Sequence, residues 1–226
     1  MLVKDWMSKT VVAVDADASM ADAVKLLKEH HIRMLPVMSN GKLVGVVTDR
    51  DIKRASASDA TTLEIHELLY LISAIKITEI MSPNPITVSE DYTVEETARI
   101  LLVNRISGVP VTDASGSVAG VITQSDLFKV IISMTGREHK GIALALQTED
   151  RPGAVTEAIH TIRNFNGRIM SILSSREQAP EGHLRMFIRM SAVPTEKLDS
   201  LLSDLSRHAR LLYMINYQDN KRYIAD

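Results

Sequence analysis

One short segment of the sequence occurs twice, and this repeat constrains the fold more than any other feature. Gly45–Ile52 reads GVVTDRDI, and Gly120–Leu127 reads GVITQSDL. The similarity continues upstream, where Met7-Ser8 aligns with Met81-Ser82. A strand, a hydroxyl and a carboxylate that recur in this order predict two copies of one supersecondary unit. The copies are expected to pack together, because one such unit cannot bury its apolar face alone.

Each copy predicts the order strand, helix, strand, turn, strand and helix. Ser19 and Thr93 are expected to cap the first helix of their copies, because an acidic residue follows each of them three positions later. Asn40-Gly41 is a strong signal for a tight hairpin turn. Pro36 and Pro110 occupy corresponding strands, which are expected at a sheet edge because proline has no N–H to donate.

The residues after the second copy follow a different pattern. Apolar strands alternate with two amphipathic helices in the order βαββαβ, which is the ferredoxin-like arrangement. The strand at Leu184–Met190 and the last strand at Leu211–Tyr217 are expected to leave open sheet edges. Open edges favour a homodimer or a higher even oligomer, because a second chain can cover them.

The predicted fold class is therefore α+β, with a pseudo-symmetric pair of repeats followed by a ferredoxin-like domain. The expected boundaries are 1–57 for the first repeat, 58–76 for a connecting helix, 77–135 for the second repeat and 139–226 for the last domain. The connecting helix has Thr61 or Thr62 as its expected cap and apolar positions at Leu63, Leu68, Leu69 and Ile72.

Composition narrows the classes of function. The formal net charge is −2, and without a basic face no nucleic-acid partner is expected. The chain contains no cysteine, which agrees with a reducing cytoplasm. No apolar run is long enough for a membrane span, and no phosphate-binding glycine loop or hydrolase motif occurs. We therefore expect no membrane partner, no catalytic residue and no catalytic cofactor, with an enzyme that uses its carboxylates as the alternative.

The pattern Thr48-x-x-Asp51 at the end of a strand has two interpretations. It can be a capping box, in which the threonine caps the helix and the aspartate returns a hydrogen bond. It can also be a nucleotide site, because a helix N-terminus offers N–H donors to phosphate and a carboxylate one turn later can accept both hydroxyls of a ribose. Thr123-x-x-Asp126 repeats the pattern, so both interpretations apply to both copies.

These residues carry a resemblance to a known family. The two Gly-Val-x-Thr-x-x-Asp segments, the Met-Ser pairs and the Pro-Val strands resemble the CBS domain, and the tandem pair resembles a Bateman module. The resemblance implies clefts that bind adenine ribonucleotides such as AMP, ADP or ATP, with the hydroxyl near phosphate and the aspartate on the ribose. Carried over to this sequence, it nominates Thr48, Asp51, Thr123 and Asp126.

Other side chains extend this candidate site. Arg33 precedes the first proline strand and is a candidate phosphate contact, with a solvated arginine at a helix end as the alternative. His30-His31 predicts no metal site, because adjacent helical residues point in different directions and a helix C-terminus favours histidine for its dipole alone. The expected apolar walls for an adenine are Met34, Leu35, Pro36, Val109 and Pro110.

The last domain resembles an ACT domain. The resemblance rests on Asp150–Val155, which includes Pro152-Gly153 at a strand-to-helix junction, and on Gly167-Arg168-Ile169 at the start of the next strand. It implies dimerisation and an amino-acid site at Gly153, for which a simple turn glycine is the alternative. We expect Asp150 to pair with Arg168, because both are expected at the same end of adjacent strands. Arg168 also stands where members of the family often have a neutral amide, and it would repel the ammonium group of an amino acid. We therefore expect a dimerisation module and not an amino-acid sensor, with a repulsion that Asp150 offsets as the alternative.

The complete domain order resembles that of the acetoin-utilisation B family, which implies a regulatory role in carbon metabolism. The expected function is that of a cytoplasmic protein that senses adenine ribonucleotides and regulates an unidentified protein. The alternative is a dimerisation adaptor whose clefts are structural and bind no ligand.

Overall fold

The structure is a computed structural model that describes residues 1–58, 74–136 and 140–225. Contacts divide the chain into two units, Met1–Phe128 and Lys129–Asp226. Most of the predicted connecting helix lies outside the described residues, together with its expected cap and apolar positions Thr61, Thr62, Leu63, Leu68, Leu69 and Ile72.

The first part of the chain forms two small sheets among its described residues. One sheet has the strand order β1-β2-β3-β4, with bounds Val14–Asp15, Met34–Ser39, Lys42–Thr48 and Ser82–Pro83. The other has the order β5-β6-β7, with bounds Val88–Ser89, Gly108–Thr112 and Val118–Thr123. The helices are α1 (Met20–Glu29), α2 (Asp49–Ser58), α3 (Ile77–Ile80), α4 (Val94–Asn104) and α5 (Gln124–Met134).

The two predicted helix caps are confirmed. Ser19 Oγ accepts the N–H of Asp22 at 3.2 Å, and Asp22 Oδ2 accepts the N–H of Ser19 at 3.0 Å. Thr93 and Glu96 exchange the same two bonds at 3.1 and 2.7 Å. The Ser19 hydroxyl lowers the pKa of Asp22, and the N–H of Thr93 lowers the pKa of Glu96, because both donors favour the charged carboxylate.

The hairpin that joins β2 to β3 has the predicted turn, but the position of its proline strand differs from the prediction. Asn40 and Gly41 have φ angles of 51° and 76°, as a tight primed turn requires. The prediction of edge strands is wrong, because β2 lies between β1 and β3, and β6 lies between β5 and β7. The short flanking strands pair with the residues that follow Pro36 and Pro110, so the missing N–H is tolerated.

The two repeats exchange the short segments that carry the Met-Ser pairs. Ser82-Pro83 belongs to the second repeat in sequence, yet it forms β4 against Gly45-Val46 of the first repeat. Ser8 of the first repeat forms a bridge with Val121 in the second sheet, through hydrogen bonds of 2.9 and 3.1 Å. Each sheet is therefore extended by the other repeat.

Helical turns beside these segments bury an apolar side chain in the other repeat. Ile77 in α3 is fully buried, and it belongs to the same core cluster as Leu35 and Val47 of the first repeat. The corresponding turn at Val3–Asp5 buries Val3, whose N–H donates to the carbonyl of Tyr92 in the second repeat at 2.9 Å. The exchange thus involves apolar burial as well as main-chain pairing.

Two glycines allow the exchanged methionines to approach the sheets closely. A Cβ atom at Gly45 would lie 2.5 Å from Met81 Sδ and 3.0 Å from the carbonyl oxygen of Ser82. A Cβ atom at Gly120 would lie 2.5 Å from Met7 Sδ and 2.9 Å from the Ser8 carbonyl oxygen. A larger residue at either position must displace the methionine side chain and crowd the main chain of the exchanged segment, so glycine packs best at both positions.

The second unit contains a five-stranded sheet among its described residues, in the order β12-β11-β8-β10-β9. Its strands are β8 (Ile142–Glu149), β9 (Arg168–Ser175), β10 (His183–Ser191), β11 (Arg210–Asn216) and β12 (Lys221–Ile224), and its helices are α6 (Ala154–Asn164) and α7 (Leu198–Leu205). The order βαββαβ and the α+β class agree with the prediction. The additional strand β12 was not predicted, because its residues are all exposed and show no apolar alternation.

The predicted edge strands of this sheet are wrong. The alternating strand β10 lies between β8 and β9, and β11 lies between β12 and β8, so β9 and β12 form the edges. The predicted alternation itself is confirmed, because one face of β10 is buried in the core that α6 and α7 cover, through Leu184, Met186, Ile188 and Met190.

The predicted pair between Asp150 and Arg168 is also wrong. Strands β8 and β9 each pair antiparallel with β10, so β8 and β9 run in the same direction. Asp150 follows the end of β8, whereas Arg168 begins β9, and the two residues therefore lie at opposite ends of the sheet. Asp150 instead accepts two hydrogen bonds from Arg176, which follows the end of β9, at 2.6 and 2.9 Å.

We expect Gly45→Ala to destabilise the protein by about 1–3 kcal/mol, because the added methyl group overpacks the contact with Met81. In a double-mutant cycle, Gly45→Ala and Met81→Ala should couple by about 0.5 kcal/mol or more, since the second change removes the side chain that meets the new methyl group. Equilibrium urea denaturation of the four proteins measures both free energies.

Met7→Ala is the matched control for this cycle, because Met7 makes the equivalent contact at Gly120. Its effect should add to that of Gly45→Ala. If Gly45 couples to Met7 and not to Met81, the exchange of segments between the repeats is contradicted.

Candidate functional site

Thr48 ends β3 and Asp51 lies in the first turn of α2, so their side chains meet where the strand becomes a helix. Asp51 Oδ2 accepts the Thr48 hydroxyl at 2.6 Å and the Thr48 N–H at 3.0 Å. Thr48 Oγ1 in turn accepts the N–H of Asp51 at 3.3 Å. The capping-box interpretation of this pattern is therefore confirmed.

The second copy has the same geometry. Asp126 Oδ2 accepts the Thr123 hydroxyl at 2.7 Å and the Thr123 N–H at 3.0 Å. The threonine and the aspartate are half-buried in both copies. The structure thus brings each predicted hydroxyl next to its predicted carboxylate.

A main-chain hydrogen bond holds the residue before each proline strand against the start of the helix. The N–H of Asp49 donates to the carbonyl of Arg33 at 3.1 Å, and the N–H of Gln124 donates to the carbonyl of Ser107 at 2.9 Å. These equivalent bonds place Arg33 beside the Thr48 helix start and Ser107 beside the Thr123 helix start. Arg33 is exposed, so its guanidinium is available to a ligand at that helix.

The second carboxylate oxygen of the first copy has a partner that the sequence analysis missed. Arg54 donates to Asp51 Oδ1 at 3.0 Å, and the Arg54 side chain is 74% exposed whereas that of Asp51 is 11% exposed. The three-residue spacing on a helix was the available signal. A diol that binds Asp51 must compete with this arginine, which can return to solvent.

The Thr48 hydroxyl already forms a hydrogen bond within the protein. It has one proton, and that proton is donated to Asp51. A phosphate at this helix start can receive the proton only if the hydroxyl rotates away from the carboxylate. The arrangement therefore offers a half-buried carboxylate and a rotatable hydroxyl at a helix N-terminus, and a ligand must replace internal hydrogen bonds to use either of them.

Hydrogen bonding alone does not identify a ligand site in this chain. Ser19 and Asp22 at the start of α1 have the same contacts as Thr48 and Asp51, with hydroxyl-to-carboxylate and N–H-to-carboxylate distances of 2.6 and 3.0 Å. What distinguishes the predicted sites is their position, since each follows the long strand that pairs with the proline strand of its repeat.

The predicted apolar walls are buried between these elements. Met34, Leu35 and Val109 are 7%, 0% and 1% exposed, and Pro36 and Pro110 are also buried. Met34 Cε lies 3.4 Å from the position of a Cβ atom at Gly108. Because Met34 and Gly108 are the first residues of β2 and β6, the two proline strands approach each other where they begin.

The two copies differ in charge around the motif. The first copy has Arg33 before the proline strand and Arg50 in the first turn of α2, and both are exposed. The corresponding residues of the second copy are Ser107 and Ser125. Because Asp49 of the first copy corresponds to Gln124, the first copy has two additional cations and one additional anion here. The net excess of one positive charge makes the Thr48 site the more favourable one for a phosphate group.

The residues predicted at the ACT-like junction are separated in the structure. Asp150 lines a cavity of about 380 Å³ together with Arg151 and Arg176. Gly153 caps α6 with a φ of 92°, a conformation that favours glycine. Arg168 lines a different cavity of about 580 Å³. Thr48 and Thr123 line neither of these two cavities.

The charges at the junction are paired. Arg151 donates to both carboxylate oxygens of Glu157 at 2.8 and 2.7 Å, and these hydrogen bonds lower the pKa of Glu157. The hydrogen bonds from Arg176 to Asp150 raise the pKa of Arg176. A charged ligand at this junction would have to displace an existing ion pair.

Two further findings apply to the part of the chain that the structure describes. Within residues 1–58, 74–136 and 140–225, no group of three or more histidine or acidic side chains is arranged to hold a metal ion. No helix in these ranges is long and apolar enough to cross a membrane.

Comparison with known proteins gives matches to the repeats. A sequence profile of the CBS domain matches residues 3–58 and 77–133. A CBS domain-containing protein of Dictyostelium discoideum is 34% identical over 135 residues, which are 59% of this chain and 93% of that protein.

Two solved structures are similar to this part of the chain. The CBS domain pair of protein MJ0100, in complex with 5′-methylthioadenosine and S-adenosyl-L-methionine, is 34% identical with a TM-score of 0.51, over 62% of this chain and 98% of that one. A Vibrio cholerae protein named for acetoin utilization (AcuB) is 24% identical with a TM-score of 0.51, over 61% of this chain and 95% of that one. At 24% identity the likeness to the second structure concerns the fold alone.

Proposed function

The chain belongs to the CBS-domain family, and from this membership we propose that its first unit senses adenine ribonucleotides or related adenosine compounds. The observation that carries the proposal is the position of the two hydroxyl–carboxylate pairs, because each lies where a helix follows the strand that pairs with the proline strand of its repeat. The related domain pair of MJ0100 supports it, because both of its bound compounds contain adenosine.

The proposed binding mode follows from the geometry of the first copy. The ribose hydroxyls donate to Asp51, while Arg54 releases Oδ1 and returns to solvent. The Thr48 hydroxyl rotates and donates to a phosphate at the start of α2, which the helix dipole also favours. The adenine is placed where the two proline strands begin, and because Leu35 and Val109 are 0% and 1% exposed, it contacts them only when these strands move apart.

The exchange of segments between the repeats supports a regulatory role for this binding. A ligand at Thr48 contacts β3, and the same strand pairs with Ser82-Pro83 of the other repeat. A ligand that binds one arrangement of the repeats more tightly shifts the population toward it by its differential affinity. We therefore propose a regulator without catalytic activity, which acts in the cytoplasm on a protein that the sequence does not identify.

The second unit is proposed to be an ACT-like dimerisation domain at residues 139–226, after repeats at 1–57 and 77–135. Its βαββαβ order and the glycine at the junction support this assignment. A role in acetoin-type carbon metabolism is proposed from the domain order alone.

A second candidate is the adaptor that binds no ligand. It is favoured by one observation, which is that Thr48 and Asp51 have the same hydrogen bonds as the ordinary helix cap of Ser19 and Asp22. In this case the repeated pairs serve only to start α2 and α5, and the protein functions through assembly of its second unit.

We expect the full chain to bind an adenine ribonucleotide more tightly than its 2′-deoxy form, because the deoxy compound lacks one donor to the aspartate. A hydrogen bond to a charged group contributes about 1.5–3 kcal/mol. Asp51→Ala or Asp126→Ala should therefore weaken binding at its own site by about tenfold or more. Isothermal titration calorimetry with AMP, ADP, ATP and their deoxy forms measures these affinities.

Asp22→Ala is the matched control, because it removes a cap of the same geometry from a helix with no proposed ligand. It should reduce stability without changing nucleotide affinity. Equal affinities for the ribo and deoxy forms, or equal losses in Asp22→Ala and Asp51→Ala, would favour the adaptor.

We expect the Thr48 site to distinguish phosphorylated from unphosphorylated ligands. Exchanging Arg33 and Arg50 for serine gives this site the residues of the second copy. The double variant should bind ATP about tenfold more weakly, because charge-assisted hydrogen bonds to phosphate are lost. Its affinity for 5′-methylthioadenosine should change little, since that compound has no phosphate.

The opposite exchange, which puts arginines at the second site, is the control for the expected loss of ATP affinity. Ser107→Arg with Ser125→Arg should strengthen ATP binding at the Thr123 site. If both double variants leave the ratio of ATP to 5′-methylthioadenosine affinity unchanged, these positions do not contact phosphate.

We expect the full chain to form a homodimer or a higher even oligomer at micromolar concentration. Strands β9 and β12 are the edges of the second sheet, and their unpaired main-chain groups can be covered by a second copy. Size-exclusion chromatography with light scattering gives the mass. A monomeric mass across the micromolar range would contradict this proposal.

A further inference from the structure

One face of the sheet in the second unit is not covered by α6 and α7. On β10, the side chains that enter the core beneath these helices are those of Leu184, Met186, Ile188 and Met190. Because side chains alternate along a strand, Arg185, Phe187 and Arg189 lie on the opposite face. This face, which lies opposite to α6 and α7, therefore carries two arginines on one strand.

A cavity of about 580 Å³ lies at one end of this sheet. Arg168 and Ser191 are paired across β9 and β10, and both line the cavity. Ser133, in the last turn of α5, and Gly136, in the segment that follows this helix, also line it. The Ser171 hydroxyl of β9 donates to the carbonyl of Thr135 at 3.1 Å, which holds this segment against the sheet.

The cavity is cationic. Arg168 and Lys140 both line it and both are exposed. Within the described ranges neither side chain forms an ion pair, and no acidic side chain lines the cavity. Two cations with two serine hydroxyls are the donors that an oxyanion requires, and the arginine fork matches a phosphate or a carboxylate. The volume lies in the range of small-molecule sites.

A third cation lies directly behind the cavity wall. Arg189 is only 7% exposed, and its Cδ lies 3.3 Å from the position of a Cβ atom at Gly136. Its guanidinium stacks on the ring of Tyr217 at 4.8 Å, and its Nη1 atom has no hydrogen-bond partner among the described residues. A buried cation without a counter-charge is unfavourable, and an anion in the neighbouring cavity would offset this cost.

We propose that this cavity binds a small molecule with a multiply charged oxyanion, either a phosphate compound or a polycarboxylate. Arg168 and Lys140 contact the anion, the hydroxyls of Ser133 and Ser191 donate to it, and Arg189 contributes positive potential through the wall. The site is distinct from the nucleotide sites of the first unit. It is also distinct from the Asp150 junction, because the parallel course of β8 and β9 places Arg168 at the other end of the sheet.

The test is calorimetry of the full chain with pyrophosphate and with citrate, at constant ionic strength and with acetate as the singly charged comparison. At least one polyanion should bind saturably and about tenfold more tightly than acetate. Arg168→Ser should weaken this binding by about tenfold or more. Arg163→Ser is the matched control, since Arg163 is an exposed arginine on α6, and it should leave the affinity unchanged.

Two results would overturn the proposal: no saturable binding of either polyanion, or equal losses in the two arginine variants. Titration with 5′-methylthioadenosine keeps this test separate from the proposed nucleotide sites, because that ligand carries no anion and its affinity should not change in Arg168→Ser.

Discussion

The contact between each motif glycine and the methionine of the other repeat is the interaction on which the first unit depends. A side chain at Gly45 would collide with Met81 and crowd the carbonyl of Ser82, so it would weaken the pairing of Ser82-Pro83 with the strand. Gly45 and Thr48 belong to the same strand, three residues apart. One motif therefore fixes both the packing of the repeats and the point at which α2 begins, so a change at the helix start acts on the strand that the other repeat holds.

A ligand at either helix start must replace hydrogen bonds that the protein already forms there. Asp51 accepts three hydrogen bonds, from Thr48 and Arg54, without any ligand. Binding therefore exchanges internal bonds for ligand bonds, and the net gain of each exchange is much smaller than a bond formed from nothing. In the proposed site, affinity must come from groups that form no internal hydrogen bonds. We therefore expect the exposed Arg33 and Arg50 to contribute more to ligand choice than the motif itself.

The sequence predicts local structure well where one residue type has one physical role. Ser19 and Thr93 cap helices because of their hydroxyls, and Asn40-Gly41 turns because both residues tolerate positive φ. The pairing and packing of segments that are distant in the sequence could not be predicted in this way. The exchange of Met-Ser segments leaves no local signal, and Pro36 lies in an inner strand because the neighbouring strand is short. Arg54 was missed because an exposed arginine on a helix usually has no specific partner.

The error at Asp150 and Arg168 shows how strand order decides the chemistry of the second unit. The local sequence pattern places Asp150 and Arg168 correctly at strand ends. Because β10 lies between β8 and β9, these two strands run parallel. Asp150 and Arg168 therefore lie at opposite ends of the sheet. At the junction, Asp150 and Glu157 are already neutralised by Arg176 and Arg151. At the other end, Arg168 and Lys140 have no such partners among the described residues, and the buried Arg189 lies behind them. Electrostatics therefore favours binding of an anionic ligand at the end of the sheet opposite to the Pro152-Gly153 turn.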